Sequence, residues 1–125
     1  MKLINNFLCG VQVASLAEAV VWIERSGLNR EQALEFLKQA APGSPLLRGV
    51  AARMVEATYE VNFFLSLMKK DMNYAQADAK TLGVELKTAS TAEARFQDAV
   101  RAGFGEKDMS AVVEPLRRHQ ICHTS

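Results

Sequence analysis

The sequence predicts an all-α protein, a bundle of about six helices around a long, apolar first helix. Three observations carry this. Apolar residues recur at helical spacing through every long segment. Glycine and proline punctuation cuts the chain into six pieces with short connections. The one stretch rich in β-branched and aromatic residues has no partner strand anywhere in the chain. With 125 residues, 49% of them hydrophobic and 23% charged, the composition is that of one globular domain with a real core.

The first helix is expected over residues 2–26. It holds no proline, and its polar residues Gln12, Ser15 and Glu18 share one arc at about 100° per residue. Most of the remainder is apolar, including Val11, Leu16, Val20, Trp22 and Ile23, so the helix wants neighbours on several sides. Gly27 ends it as a left-handed cap. Asn29 then caps a second helix, with Gln32 in capping-box position and Ala33, Leu34, Phe36 and Leu37 as the buried face. The run Ala41-Pro42-Gly43-Ser44-Pro45 is a turn, and Pro45 suits the first position of a third helix reaching about Ala57.

Residues 58–64 are expected to be an irregular connection. The fourth helix, residues 65–82, carries the cleanest stripe: Met68, Met72, Ala75, Ala79 and Leu82, ended by Gly83. Ser90 with Glu93 forms a capping box for the fifth helix, with Thr88 as the other candidate cap. Ala92, Phe96, Ala99 and Val100 form its inner face, and it stops near Gly103. Asp108 or Ser110 caps a last helix that Pro115 must kink or shorten. Residues 119–125 are expected to be a flexible tail, leaving residues 1–118 as the helical domain.

Charge and cysteine content exclude several functions. Fifteen basic and fourteen acidic side chains leave a net charge of +1, so there is no basic excess for nucleic acid or an anionic membrane. The two cysteines, Cys9 and Cys122, read as reduced thiols in a cytoplasmic protein rather than a disulfide scaffold. The apolar stretch from 7 to 23 approaches membrane length. Glu18 within it would be costly in lipid, so a buried bundle helix is the better reading.

Three constellations could carry chemistry. Lys2, Asn5 and Asn6 fall on one helical face, so an ammonium and a carboxamide could converge on one small ligand. A solvated lysine at a helix start, with the asparagines as caps, is the more ordinary reading of that spacing. Lys69-Lys70-Asp71, shortly after Phe63, could present one group to a ligand and another to a neighbouring helix. A plain charged face opposite the methionine stripe is the commoner alternative. His119, Cys122 and His123 have metal-ligand spacing, yet no further ligand cluster completes them, and no metal site is expected. Neither a G-x-G-x-x-G, a G-x-x-x-x-G-K-[ST] nor a G-x-S-x-G occurs.

Four motifs in order nevertheless give the chain a recognisable pattern. They are Lys2-Leu3-Ile4-Asn5-Asn6; Glu18-Ala19 followed by Ser26-Gly27-Leu28; Phe63-Phe64-Leu65-Ser66-Leu67-Met68-Lys69-Lys70-Asp71; and Gly103-Phe104-Gly105-Glu106-Lys107-Asp108-Met109-Ser110-Ala111. From Lys2 to about Arg118 the chain resembles the C-terminal domain of the β-hydroxyacid dehydrogenases, the 3-hydroxyisobutyrate dehydrogenase and tartronate semialdehyde reductase group. The resemblance implies Lys2 as catalytic acid/base and Asn6, with Asn5 beside it, as substrate-binding. It implies Phe63, Lys70 and Asp71 at the nicotinamide end of the cofactor.

The same resemblance implies an NAD- or NADP-dependent oxidoreductase acting on a short β-hydroxyacid or semialdehyde, assembled as a homodimer or higher homo-oligomer. The glycine-rich dinucleotide fingerprint and a Ser-Gly-Gly substrate loop are missing. The expectation is therefore a substrate, catalytic-lysine and oligomerisation domain, inactive in isolation, with no cofactor held by this chain itself. A non-catalytic helical oligomerisation or interaction module is the alternative.

Overall fold

The computed structural model describes residues 1–119. Among them lie six α-helices: α1 (Lys2–Ser26), α2 (Arg30–Gln39), α3 (Pro45–Glu56), α4 (Leu65–Thr81), α5 (Lys87–Arg101) and α6 (Val113–Arg118). A 3₁₀ turn at Met109–Val112 leads into α6. α1 is the axis, packed against every other helix, and α4 and α5 form the tightest antiparallel pair beside it. Val13, Ala17 and Val20 of α1 are fully buried, as are Val50, Met54, Leu65, Met72 and Phe96 from the surrounding helices.

α1 is long and apolar enough by length and composition to cross a membrane. Here part of that apolar surface is buried by its neighbours, at Val13, Leu16, Ala17, Val20, Val21 and Ile23. One stripe stays open to solvent, formed by Ile4, Leu8, Ser15, Glu18 and Trp22. At about 100° per residue Trp22 projects between Glu18 and Ser15. Its 78% exposure therefore follows from the helix phase and corrects its expected place inside. Gln12, on the edge of that arc, accepts a hydrogen bond from Ser44 Oγ at 3.0 Å.

The helix ends follow local chemistry. Gly27 caps α1 at φ 86°, Asn29 accepts from Gln32 N–H at 2.9 Å, and Ser44 accepts from Leu47 N–H with Pro45 at the first position of α3. Two expectations need correcting. Phe36 is 71% exposed and Leu82 is 78% exposed, so the inner stripes of α2 and α4 are shorter than the periodicity implied. α5 begins at Lys87 with Leu86 as an uncapped N-cap, so Ser90 and Glu93 lie within the helix. Glu93 instead accepts from Gln76 Nε2 on α4 at 2.7 Å.

Residues 57–64 are irregular, as expected, apart from an isolated bridge between Phe64 and Asp108. Pro115 sits in the first turn of the six-residue α6, where its missing N–H would have had no helical acceptor. The remainder of the expected tail, including Cys122 and His123, lies outside the described residues.

Candidate functional site

On the first turns of α1, Lys2, Asn5, Asn6 and Cys9 project within one sector, at about 100° per residue. That sector meets α4 because of Gly10. A Cβ placed on Gly10 would lie 2.6 Å from Met72 Cε and 2.8 Å from Met68 Sδ. A side chain there would have to push aside the flexible ends of both methionines, so glycine suits the close packing of the two helices. One turn back along α1, the buried Asn6 therefore reaches Asp71, donating from Nδ2 to Oδ2 at 2.8 Å.

This bond fixes the carboxamide. Its NH2 must face the carboxylate, which turns Oδ1 towards the α1 start, where Asn5 Nδ2 donates at 3.3 Å. Asn5 Nδ2 also lies 3.9 Å from Cys9 Sγ. Lys2 and Lys70 are both exposed, and neither forms an ion pair among the described residues. The structure thus brings Asn5, Asn6 and Asp71 into direct contact and places Lys2 one turn from Asn6. Phe63 lies apart from these bonds, before the start of α4 and packed on the core.

The segment that carries Phe63 is held by a residue considered above only as a cap. Asp108 is fully buried. Its Oδ1 accepts from the backbone N–H groups of Asn62 at 2.9 Å and Phe63 at 3.0 Å. Its Oδ2 accepts from Ser110 N at 3.1 Å and Ser110 Oγ at 2.5 Å. Arg53 Nε lies 3.1 Å from Oδ2 without hydrogen-bond alignment, so that contact is a charge pair. Burial alone would raise the Asp108 pKa. The donors from Ser110, Phe63 and Asn62 outweigh it and hold the carboxyl below its ordinary range.

A second polar cluster occupies the opposite end of α1. Arg117 grips Glu24 with two bonds, Nε to Oε1 at 3.0 Å and Nη2 to Oε2 at 2.8 Å. It also donates to Glu114 Oε2 at 2.8 Å and to the Met54 carbonyl at 2.7 Å. Tyr59 Oη donates to Glu114 at 2.5 Å, and Arg30 adds a bond to Glu24 at 3.1 Å. The Arg117 bonds pull the Glu24 pKa down. Glu114, raised by burial, is brought below its ordinary value by Tyr59 and Arg117. Burial and Glu114 push the Tyr59 phenol well up, so it stays a donor. No spacing rule marks this cluster, because its members come from four separate helices and a loop.

Grooves lie elsewhere. One of about 730 Å³ runs between the end of α4 and the start of α5, lined by Lys80, Val84, Leu86, Lys87, Ser90 and Thr91. An apolar one of about 450 Å³ lies under Leu28 and Phe36. Neither contains Lys2, Asn6, Phe63, Lys70 or Asp71. Lys2, Asn5 and Lys70 at the Asn6–Asp71 end are exposed. No group of three or more potential metal ligands occurs among the described residues.

The helical bundle and its polar α1 start define an oxidoreductase-type helical domain once they are set beside known proteins. The chain belongs to the family described as NAD-binding of NADP-dependent 3-hydroxyisobutyrate dehydrogenase, whose model matches residues 1–116. It is 32% identical to glyoxylate/succinic semialdehyde reductase 1 of Arabidopsis thaliana over 94% of this chain and 40% of that protein. It is 30% identical to L-threonate dehydrogenase of Haemophilus influenzae, covering 91% of this chain and 38% of the relative. The crystal structure of 3-hydroxyisobutyrate dehydrogenase from Salmonella typhimurium superposes with a TM-score of 0.86 at 31% identity, over 91% of this chain and 40% of that one. The chain thus spans about two fifths of the length of these relatives.

The family match overturns one expectation. A C-terminal substrate, catalytic-lysine and oligomerisation domain does not agree with a family described by NAD binding over residues 1–116. The alternative of a non-catalytic oligomerisation module falls with it.

Proposed function

We propose that this chain contributes to the nicotinamide-cofactor site of an NAD(P)-dependent oxidoreductase acting on a short β-hydroxyacid or its semialdehyde. The observation that carries the reading is the Asn6–Asp71 hydrogen bond at 2.8 Å. It fixes a carboxamide beside an ammonium at the junction of α1 and α4. The residues fit such a ligand, since Lys2 and Lys70 are cations without ion-pair partners among the described residues and suit anionic or hydroxylated groups. Family membership and the reductase and dehydrogenase names of the relatives support the same class.

In this reading Lys2 is the acid/base. In oxidation its amine takes the proton of the substrate hydroxyl as the carbon-bound hydrogen leaves with its electron pair; in reduction it returns that proton. The bound NAD(P) supplies the hydride acceptor or donor. Asn6, with Asn5 beside it, orients the substrate, and Phe63, Lys70 and Asp71 border the nicotinamide. Cytoplasmic location and assembly as a homo-oligomer belong to the same proposal.

Calorimetric titration of NAD and NADP into the complete protein tests it. The expected result is saturable binding by the wild type, weakened about tenfold or more by Asn6→Leu, which removes the donor that fixes the nicotinamide-side Asp71. Absence of binding, or binding indifferent to Asn6→Leu and to Asp71→Asn, would sink the reading.

A further inference from the structure

Phe63 has no helix to hold it. It lies in the irregular segment 57–64, where the N–H groups of Glu60 and Val61 make no hydrogen bond among the described residues. Such a segment is ordinarily the softest part of a bundle, since its backbone gains nothing from a helical ladder. Order returns abruptly at Asn62 and Phe63, and the reason is the carboxylate of Asp108. One of its oxygens takes both of those N–H groups, at 2.9 and 3.0 Å. The backbone of the same loop completes the latch. Asp108 N donates to the Tyr59 carbonyl at 3.1 Å, Met109 N to the Phe63 carbonyl at 2.8 Å, and Leu65 N to the Lys107 carbonyl at 2.9 Å. Phe63 is therefore clamped at both its N–H and its C=O.

A fully buried carboxylate is expensive to keep, and it persists only where many donors compensate it. Here the donors divide into two sets on two oxygens. Ser110 and the Arg53 charge engage Oδ2, which leaves Oδ1 to the Phe63 segment alone. A simple N-cap for the 3₁₀ turn would need only the Ser110 bonds. The second set does nothing for that turn, and its effect falls wholly on the backbone carrying Phe63.

We infer that Asp108 is a positioning residue for cofactor binding: its buried carboxylate sets the Phe63 ring at the nicotinamide end from a distance, without touching the ligand. The inference rests on the reading of Phe63 given under Proposed function. A ring held by its own side-chain packing alone could shift by an ångström, and shifts of that size at a reacting centre carry large rate costs.

Asp108→Asn is the informative change. A carboxamide has one acceptor oxygen, so the Asn62 and Phe63 donors then compete with Ser110 and Arg53 for it. The complete protein is measured in two ways. In fluorescence titrations Asp108→Asn is expected to weaken NADH binding by about tenfold while ADP-ribose, which lacks the nicotinamide, changes by no more than about twofold. Phe63→Leu is expected to reproduce that split. Equal weakening of both ligands would mean general loss of structure, and no weakening would mean no positioning; either overturns the inference.

Amide hydrogen exchange on the wild type supplies a readout that needs no variant to fold. Protection at Asn62 and Phe63 comparable to the α4 core, beside fast exchange at Glu60 and Val61, is the expected pattern. Fast exchange at Asn62 and Phe63 removes the latch and the inference with it. Protected amides in a protein that binds no NADH would instead leave the latch standing and overturn the cofactor role together with the reading on which it rests.

Discussion

The two ends of α1 both carry polar side chains, and they use them in opposite ways. At the C-terminal end Glu24, Arg117, Glu114, Tyr59 and Arg30 saturate one another, and a backbone carbonyl takes the remaining Arg117 donor capacity. At the N-terminal end a single strong bond, Asn6 to Asp71, leaves Lys2 and Lys70 without ion-pair partners among the described residues. The difference separates polar groups that hold a fold from polar groups that remain available. A closed network gains by excluding water and fixing one geometry. An open constellation keeps donors that only another molecule can satisfy.

Arg117→Met tests the closed end most severely. It removes both bonds to Glu24 and leaves two half-buried carboxylates with fewer donors, so the expected loss is about 2–4 kcal/mol of stability. A urea melt reads it. Cofactor affinity of the folded variant should stay unchanged. Asn6→Leu should cost less, about 1–2 kcal/mol, because it leaves one half-buried carboxylate, Asp71, without its 2.8 Å donor, while it weakens the ligand. A large stability loss from Asn6→Leu, or a small one from Arg117→Met, would break the contrast between the two ends.

Acid provides a smaller, graded version of the same test. Glu24 and Glu114 have pKa values below their ordinary 4.5, as Asp108 does relative to 3.8. A depressed folded-state pKa means that the unfolded chain binds protons more readily. The stability these groups contribute is thus complete above about pH 4.5 and is lost as the pH falls through their folded values. Urea midpoints measured from pH 7 down to pH 3 should show a steep decline below about pH 4.5. In Arg117→Met the slope should be shallower, since the donor that most lowers Glu24 is gone. An unchanged slope would show that the closed network does not set acid stability.

Much of the fold was legible in the sequence because its signals are local. Gly27, Asn29 and Pro45 each act within a turn of their own position, and each ends or starts a helix where expected. Phe36 and Leu82 were misplaced because apolar character alone does not tell which way a residue faces at the end of a stripe, and Trp22 because its apolar character outweighed its helix phase on the polar arc. In the candidate site the spacing of Lys2, Asn5 and Asn6 gave a shared face, but nothing local could show that the packing of α1 on α4 brings Asp71 to Asn6 across 65 residues of chain. Asp108 was readable as one of two candidate caps, with Ser110 the other. Its grip on Asn62 and Phe63 depends on packing that no period encodes. The Arg117 network has no sequence signature for the same reason.

Between the two ends, residues 57–64 run from the closed network at Tyr59 to Phe63, and the strained point of that path lies at its first residue. Ala57 adopts φ 54°, ψ 39° at the C-terminus of α3, a left-handed conformation in which its Cβ crowds the following carbonyl. Glycine takes this conformation without that penalty, although it also gives the unfolded chain more freedom to lose. Position 57 is exposed and no other positive-φ residue among those described lacks a glycine, so relief of strain should prevail. Ala57→Gly is expected to stabilise by about 0.5–1 kcal/mol in a urea melt, with cofactor affinity unchanged. A loss of stability would mean that the left-handed turn is held by the unfolded-state stiffness of alanine rather than opposed by it. A change in cofactor affinity would mean that the connecting segment transmits its conformation from one end of α1 to the other, and the two polar regions could no longer be treated as independent.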